Sequence, residues 1–204
     1  MSTATDYQPK AEEVKRLREE TQAPMLDCRK ALVDTAGDFE KAKQALVERG
    51  AAQAAKKAER VANEGLVTAY IHAGGKIGVL VEVNSETDFV ARNPKFGELA
   101  RDIAMHIAAM SPTYIDRETV PEATVEEARA EFVKAVPPGK PVDVAQKIVD
   151  GKLNKWYEEH CLIEQPFVKD DSMTVGELIN SVVGVLGERI RVRRFTKYAL
   201  GDSR

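Results

Sequence analysis

The sequence runs to 204 residues, 43% of them hydrophobic and 31% charged, with a formal net charge of -3 and a pI near 5.8. That length holds one medium domain and a small appended one around a real core, and the balanced charge lacks the basic excess of a protein built mainly for nucleic acid. No apolar run approaches the ~20 residues of a membrane span, and the first ten residues carry neither a signal-peptide core nor an Arg-rich transit pattern, so a cytoplasmic location with no membrane partner is expected.

Residues 1–9 read as a tail. Residues 10–50 hold three short helices, at 11–21 with Val14 and Leu17 inward, 24–34 with Cys28, Ala31 and Leu32 inward, and 38–49 with Phe39, Ala42 and Leu46 inward. Gln22, Ala23 and Pro24 break the first helix, Asp38 suits an N-cap, and Gly50 suits a C-terminus. So small a bundle has the size of an interaction module and is too small for a catalytic cleft. Met25 and Leu26, in its second helix, either close the bundle from one end or form a docking knob. The two cysteines, Cys28 and Cys161, lie in no CxxC pair and read as packing residues of a reducing compartment.

Residues 51–65 form an alanine-rich helical linker with Lys56 and Lys57 on its solvated side. A core spanning 66–204 follows. It opens with a hairpin, strands 66–72 and 76–84, joined through Gly74 and Gly75. Gly78 inside the second strand points to a bulge or a close backbone approach.

Residues 84–93, NSETDFVARN, match neither strand nor helix periodicity. They lie between the alternating Ile77, Val79, Val81 and Val83 and a helix that Asn93 caps and Pro94 starts. Phe89 at the tip of such a turn is either a plug for the core or a probe offered to a partner. The next helix, 94–110, carries Phe96, Leu99, Ala100, Ile103, Ile107 and Met110 on one stripe, with His106 at its edge. A histidine there is a partly buried, hydrogen-bonded residue, or a ligand or base.

A helical hairpin at about 124–160 turns at the Pro-rich residues 137–141. Its seam is expected to take Ala128, Phe132 and Ala135 from one arm and Ala145, Val149, Leu153 and Trp156 from the other. Residues 165–169 are extended, a helix from Thr174 ends at Gly187, and residues 189–200 form a last strand with a bulge near Arg193 and Arg194. The arginines of that strand and Lys197 make a basic band, read as a solvated sheet face or as an RNA site.

No catalytic constellation assembles. GxxxxGK(S/T) and GxGxxG are absent, and His72, His106 and His160 fall in separate elements without metal-ligand spacing. No cofactor is expected, and a modular binding protein fits better than an enzyme.

The segments TQAPMLDCRKAL, GDFEKAKQAL, RGAAQAAKKAER, KIGVLVEVNSETDFVARN, AMHIA, EQPFVKDD and VRRF occur in the order and spacing of bacterial elongation factor Ts, which the chain resembles over nearly all of residues 10–201. That resemblance implies a non-catalytic guanine-nucleotide exchange factor for elongation factor Tu. It implies the α+β class, with a ubiquitin-associated-like N-terminal three-helix bundle, then a core with a three-stranded antiparallel sheet packed by helices plus the helical hairpin. In the family, the Asp-Phe pair of TDFV inserts beside the partner's nucleotide and disturbs its magnesium coordination. The resemblance assigns that role to Asp88 and Phe89, flanked by Thr87 and Val90. It assigns contacts with the partner's GTPase domain to Lys15, Arg18, Met25, Leu26 and Arg29, and further contacts to Lys57, Ile77, Gly78, His106, Phe167 and Val168. The chain departs from the family at Gln22 and Pro24, where TGAGM-like sequence is usual, and at Lys169, where an apolar residue is common. With one core half it resembles the short form, which implies a homodimer and no direct nucleic-acid partner. The alternative is a translation-associated scaffold holding RNA or protein through the bundle and the basic strand.

Overall fold

The computed structural model describes residues 7–21 and 23–202; the expected break at Gln22, and that residue's departure from the family, lie outside them. Apolar residues at helical spacing draw α1 (Ala11–Thr21), α2 (Met25–Asp34) and α3 (Phe39–Lys57) around one small core. In it Val14, Leu17, Cys28, Ala31, Leu32, Ala42 and Leu46 are buried together. Asp38 caps α3, its carboxylate accepting the Lys41 N–H at 3.1 Å.

α3 does not stop at Gly50. It runs on through the alanine-rich stretch expected to be a linker, and Ala54 packs against the main core. The reason is at Gly50 itself, where a Cβ would lie 3.2 Å from the Asn180 carbonyl oxygen. Glycine is there for close helix packing, not for a helix end.

The main sheet has strands β1 (Glu64–Ile71), β2 (Ile77–Ser85) and β5 (Arg191–Ala199) in the order β1-β2-β5, both pairings antiparallel. Period-2 alternation buries Val79, Val81 and Val83 against α5 (Pro94–Met110) and turns Val67, Ile71, Leu80 and Tyr198 outward to an exposed apolar face. Gly78 faces this outer side without a bulge. A Cβ on it would meet Ile71 Cδ1, from its cross-strand partner, at 3.1 Å. The register does shift between Glu82 and Val83, opposite Arg194 and Val192, so Arg193 is the extra residue of the expected bulge.

α8 (Val175–Leu186) closes the core with Val175, Ile179 and Val183. It starts in a capping box between Thr174 and Glu177 and ends at Gly187, which has φ 76. Between α5 and α8 the hairpin α6 (Glu122–Lys134) and α7 (Val142–His160) forms its own cluster of Val120, Leu153, Tyr157 and Cys161. Ala135 is outside that seam, exposed at the C-cap of α6, and Met110, expected on the inward stripe of α5, is exposed in its last turn. The extended residues after α7 fold into a small antiparallel pair, β3 (Pro166–Phe167) and β4 (Asp170–Thr174). The architecture is α+β, as the resemblance implies. Among the described residues no helix is long and apolar enough to cross a membrane.

Candidate partner-binding site

Residues 84–93 do not form an irregular turn. Asp88–Ala91 makes one turn of helix, α4, with Thr87 at its N-cap accepting the Val90 N–H at 3.4 Å. Val90 and Ala91 point into the core and anchor the turn. Phe89, between them and Asp88, is 81% exposed. The ring is therefore not a plug for the core. Immediately after, Asn93 caps α5 by accepting the Lys95 N–H at 2.9 Å, so the strand behind and the helix ahead fix both ends.

Asp88 is paired across the turn with Arg92 at 2.8 Å, both side chains largely in solvent. Exposed pairs of this kind contribute about 0–1 kcal/mol, so the carboxylate can change partners at little cost. Three further contacts hold the backbone. Ser85 Oγ donates to the Thr87 carbonyl at 2.9 Å, Thr87 N–H and hydroxyl both donate to Glu188, and the Arg189 N–H donates to Glu86 at 2.6 Å. Arg60 adds a contact to Glu86 at 3.4 Å. Glu86, Glu188, Arg60 and Arg189 carry no sequence signal, since what makes them matter is contact between segments 26 to 103 positions apart.

The bundle brings a second set together. Lys15 and Arg18 on α1 and Met25, Leu26 and Arg29 on α2 are all exposed, Leu26 to 80%. Pro24, at φ -55, sets the entry to α2 without a side-chain cap. Met25 and Leu26 do not close the bundle. They stand outside its buried cluster.

The remaining expected contacts are dispersed. Lys57, half-buried, ends α3. Ile77 and Gly78 begin β2, so they lie at the opposite end of that strand from the α4 turn, roughly 25 Å away at ~3.3 Å per residue. His106 and Phe167 lie inside: both side chains are buried in the free chain. His106 Nδ1 accepts the Val168 N–H at 3.2 Å, which leaves its proton on Nε2, 2.9 Å from Gln165 Oε1. Gln165 in turn donates to the Glu159 carbonyl at 2.8 Å. Burial pushes the His106 pKa down, with the Gln165 hydrogen bond opposing. The pair thus supports Val168, which is exposed. Lys169, the residue unusual for the family, bonds Asp102 at 2.6 Å and pins the β3–β4 pair to α5.

Arg193 and Arg194 of the basic band stay at the surface beside an acidic partner, while Lys197 turns to α5. Arg193 and Arg194 reach Glu82 at 3.4 and 2.7 Å, and Lys197 donates to the Ala108 carbonyl at 2.9 Å. Hydrogen bonds from Asn84 and Arg194 hold the Glu82 carboxyl below its usual range. A cleft of about 310 Å³ lies between the bundle and the core, with Leu46, Val47, Gly50, Leu99, Leu178 and Gly184 among its lining. None of residues 84–93 borders it. Among the described residues no group of three or more His, Cys, Asp or Glu could hold a metal ion.

An α+β core that presents an exposed aromatic wedge on a capped turn, beside a small bundle with its own apolar knob, defines a protein made for binding another macromolecule. The profile of the family described as Elongation factor TS matches residues 5–202. Elongation factor Ts of Koribacter versatilis is 54% identical over 193 residues, 94% of this chain and 88% of that relative. The Elongation factor Ts of Thermoanaerobacter sp. strain X514 is 53% identical over 194 residues, 94% of this chain and 95% of its own, and that of Acetivibrio thermocellus is 51% identical over 193 residues. The chain belongs to the elongation factor Ts family, and its role is in translation elongation.

Proposed function

We propose that this chain is a non-catalytic guanine-nucleotide exchange factor that binds elongation factor Tu in the cytoplasm and drives GDP release by inserting Asp88 and Phe89 beside the partner's nucleotide and magnesium site. The observation that carries the reading is the Phe89 ring, 81% exposed on a one-turn helix whose neighbours Val90 and Ala91 are locked into the core. Burying such a ring yields about 2–3 kcal/mol, available only once the partner's pocket opens. Coupling is reciprocal, so whatever factor loosens GDP also loosens this chain when nucleotide returns. No covalent step is required.

Lys15, Arg18, Met25, Leu26 and Arg29 would grip the GTPase domain, with Lys57, Ile77, Gly78 and Val168 as outlying contacts. The outward apolar face of β1, β2 and β5 supports a homodimer through the core, because isolated domains seldom leave such a sheet face bare. An RNA-holding scaffold has less support, since the formal net charge is -3 and Glu82 stands beside Arg193 and Arg194.

The test is stopped-flow release of mant-GDP from elongation factor Tu. The purified chain is expected to accelerate release, saturating with its concentration. A rate independent of added chain would sink the exchange reading.

A further inference from the structure

α4 is anchored on one side only, through Val90 and Ala91. Its four residues fall far short of the length at which a helix is stable alone, and neither the exposed Phe89 ring nor the solvated Asp88–Arg92 pair restrains it. Beyond the burial of Val90 and Ala91, a second restraint arrives from the connection between α8 and β5. The last backbone pair of the β2–β5 ladder is Asn84 with Arg191. Beyond it, side-chain carboxylates continue what the backbones no longer do. Glu188 Oε2 accepts the Thr87 N–H at 2.9 Å, and in the other direction Glu86 Oε1 accepts the Arg189 N–H at 2.6 Å. Each segment satisfies a backbone donor of the other.

Glu188 does one thing more. Its Oε1 takes the proton of the Thr87 hydroxyl at 2.6 Å, a short, charge-assisted bond. A hydroxyl has a single proton. Once that proton is committed to Glu188, the oxygen presents only lone pairs to the Val90 N–H, and the N-cap of α4 is fixed in its accepting orientation. The placement of Glu188 is equally determined. It follows Gly187, whose left-handed backbone turns the chain out of α8 and toward the end of β2.

We infer that Glu188 is a positioning residue for the Asp88–Phe89 wedge, acting through Thr87, with Glu86 as its reciprocal partner. The inference rests on the exchange reading above for its functional consequence, though not for its structural one. A wedge that must enter a pocket opening only transiently gains from being held in the entering geometry beforehand. Loosening it lowers the maximal rate. It leaves initial docking through the bundle, on separate elements, nearly intact.

The full chain tests this with Glu188→Ala and Glu188→Gln. In the absence of any partner, hydrogen exchange at the Thr87, Val90 and Ala91 amides is expected to rise about tenfold or more in Glu188→Ala, the scale of losing hydrogen bonds to a charged group. Glu188→Gln, which keeps an acceptor oxygen, is expected to lie between. With elongation factor Tu, Glu188→Ala is expected to lower the maximal mant-GDP release rate about tenfold while the half-saturating concentration moves less than about threefold. Glu188→Gln is expected to recover part of the rate. Wild-type amide protection in Glu188→Ala would overturn the clasp, and a loss confined to the half-saturating concentration would overturn the positioning role. A wild-type chain that leaves GDP release unstimulated overturns the exchange reading alone, because the amide rates are read without the partner.

Discussion

Gly50 of α3 lies directly against Gly184 of α8: a Cβ on Gly184 would come 3.8 Å from the Gly50 Cα, and one on Gly50 would come 3.2 Å from the Asn180 oxygen. Here the helix that begins in the bundle docks on the core, so the bundle is carried by a packed helix. Gly50→Leu is expected to force α3 and α8 apart at a cost of about 1–3 kcal/mol. Gly97→Ala, in α5 with open space around its Cβ position, is expected to be neutral or to gain up to ~1 kcal/mol from helix propensity. Urea unfolding of the two variants checks both; a Gly50→Leu midpoint equal to wild type would remove the close approach as the reason for glycine.

Phe89 separates stability from activity. Because the ring is solvated in the free chain, Phe89→Ala is expected to change unfolding stability by less than ~0.5 kcal/mol. Stimulated GDP release is expected to fall severely. A variant with wild-type release would take Phe89 out of the mechanism, and one with a large stability loss would contradict its exposure.

His106 makes the fold acid-sensitive in a defined direction. Its folded pKa is lowered from 6.5 mainly by burial, so the unfolded chain binds the proton more readily. The contribution is therefore whole above that value and is lost as pH falls through it toward the folded pKa. Protonation would also turn Nδ1 into a donor facing the Val168 N–H. Between pH 7 and 5 the wild type is expected to lose stability relative to His106→Gln, with a difference slope no steeper than ~1.4 kcal/mol per pH unit. Parallel pH profiles for the two proteins would show that His106 does not titrate in that range.

The outer sheet face sets the expected assembly. Leu80→Lys places a charge in the centre of an apolar face and lies opposite no core residue, so it is expected to leave the monomer folded and break the dimer. Light scattering at micromolar concentration should give twice the chain mass for wild type and the chain mass for the variant. A wild-type monomer would rule out the dimer.

Much of the fold is legible because it is written in local chemistry. Asp38, Asn93 and Thr174 are N-caps by residue type and position, and all three accept the expected backbone N–H. The buried stripes of α1 and α2 follow from spacing alone, and so does that of α5 from Phe96 to Ile107. What is illegible depends on pairs remote in sequence. Gly65, at φ 144, allows β1 to cross so near Val83 that a Cβ would lie 2.1 Å from its carbonyl oxygen, and nothing in the neighbouring residues announces it. Gly50 has the residue type of a helix stop and the role of a contact point.

The candidate site divides the same way. Phe89 and Asp88 stand out as an aromatic and an acid in a segment without periodicity, and Met25 and Leu26 as apolar residues off the bundle's inner stripe. That they lie in solvent is a three-dimensional fact. His106 and Phe167, which the resemblance groups with them, are buried in the free chain, their rings in contact and His106 accepting the Val168 N–H. Glu188 is invisible until β5 returns beside β2.

The two cysteines have a use that their inertness creates. Both are fully buried, one in the bundle and one at the base of the helical hairpin, and burial pushes the Cys161 thiol up to about 11 and raises Cys28 as well. Thiolate is the reactive form, so neither is open to an alkylating reagent at neutral pH until its surroundings open. The rate at which each sulfur is modified is then a clock for the opening of its own unit. Read with and without a bound partner, the two clocks would report which parts of the chain tighten when it engages.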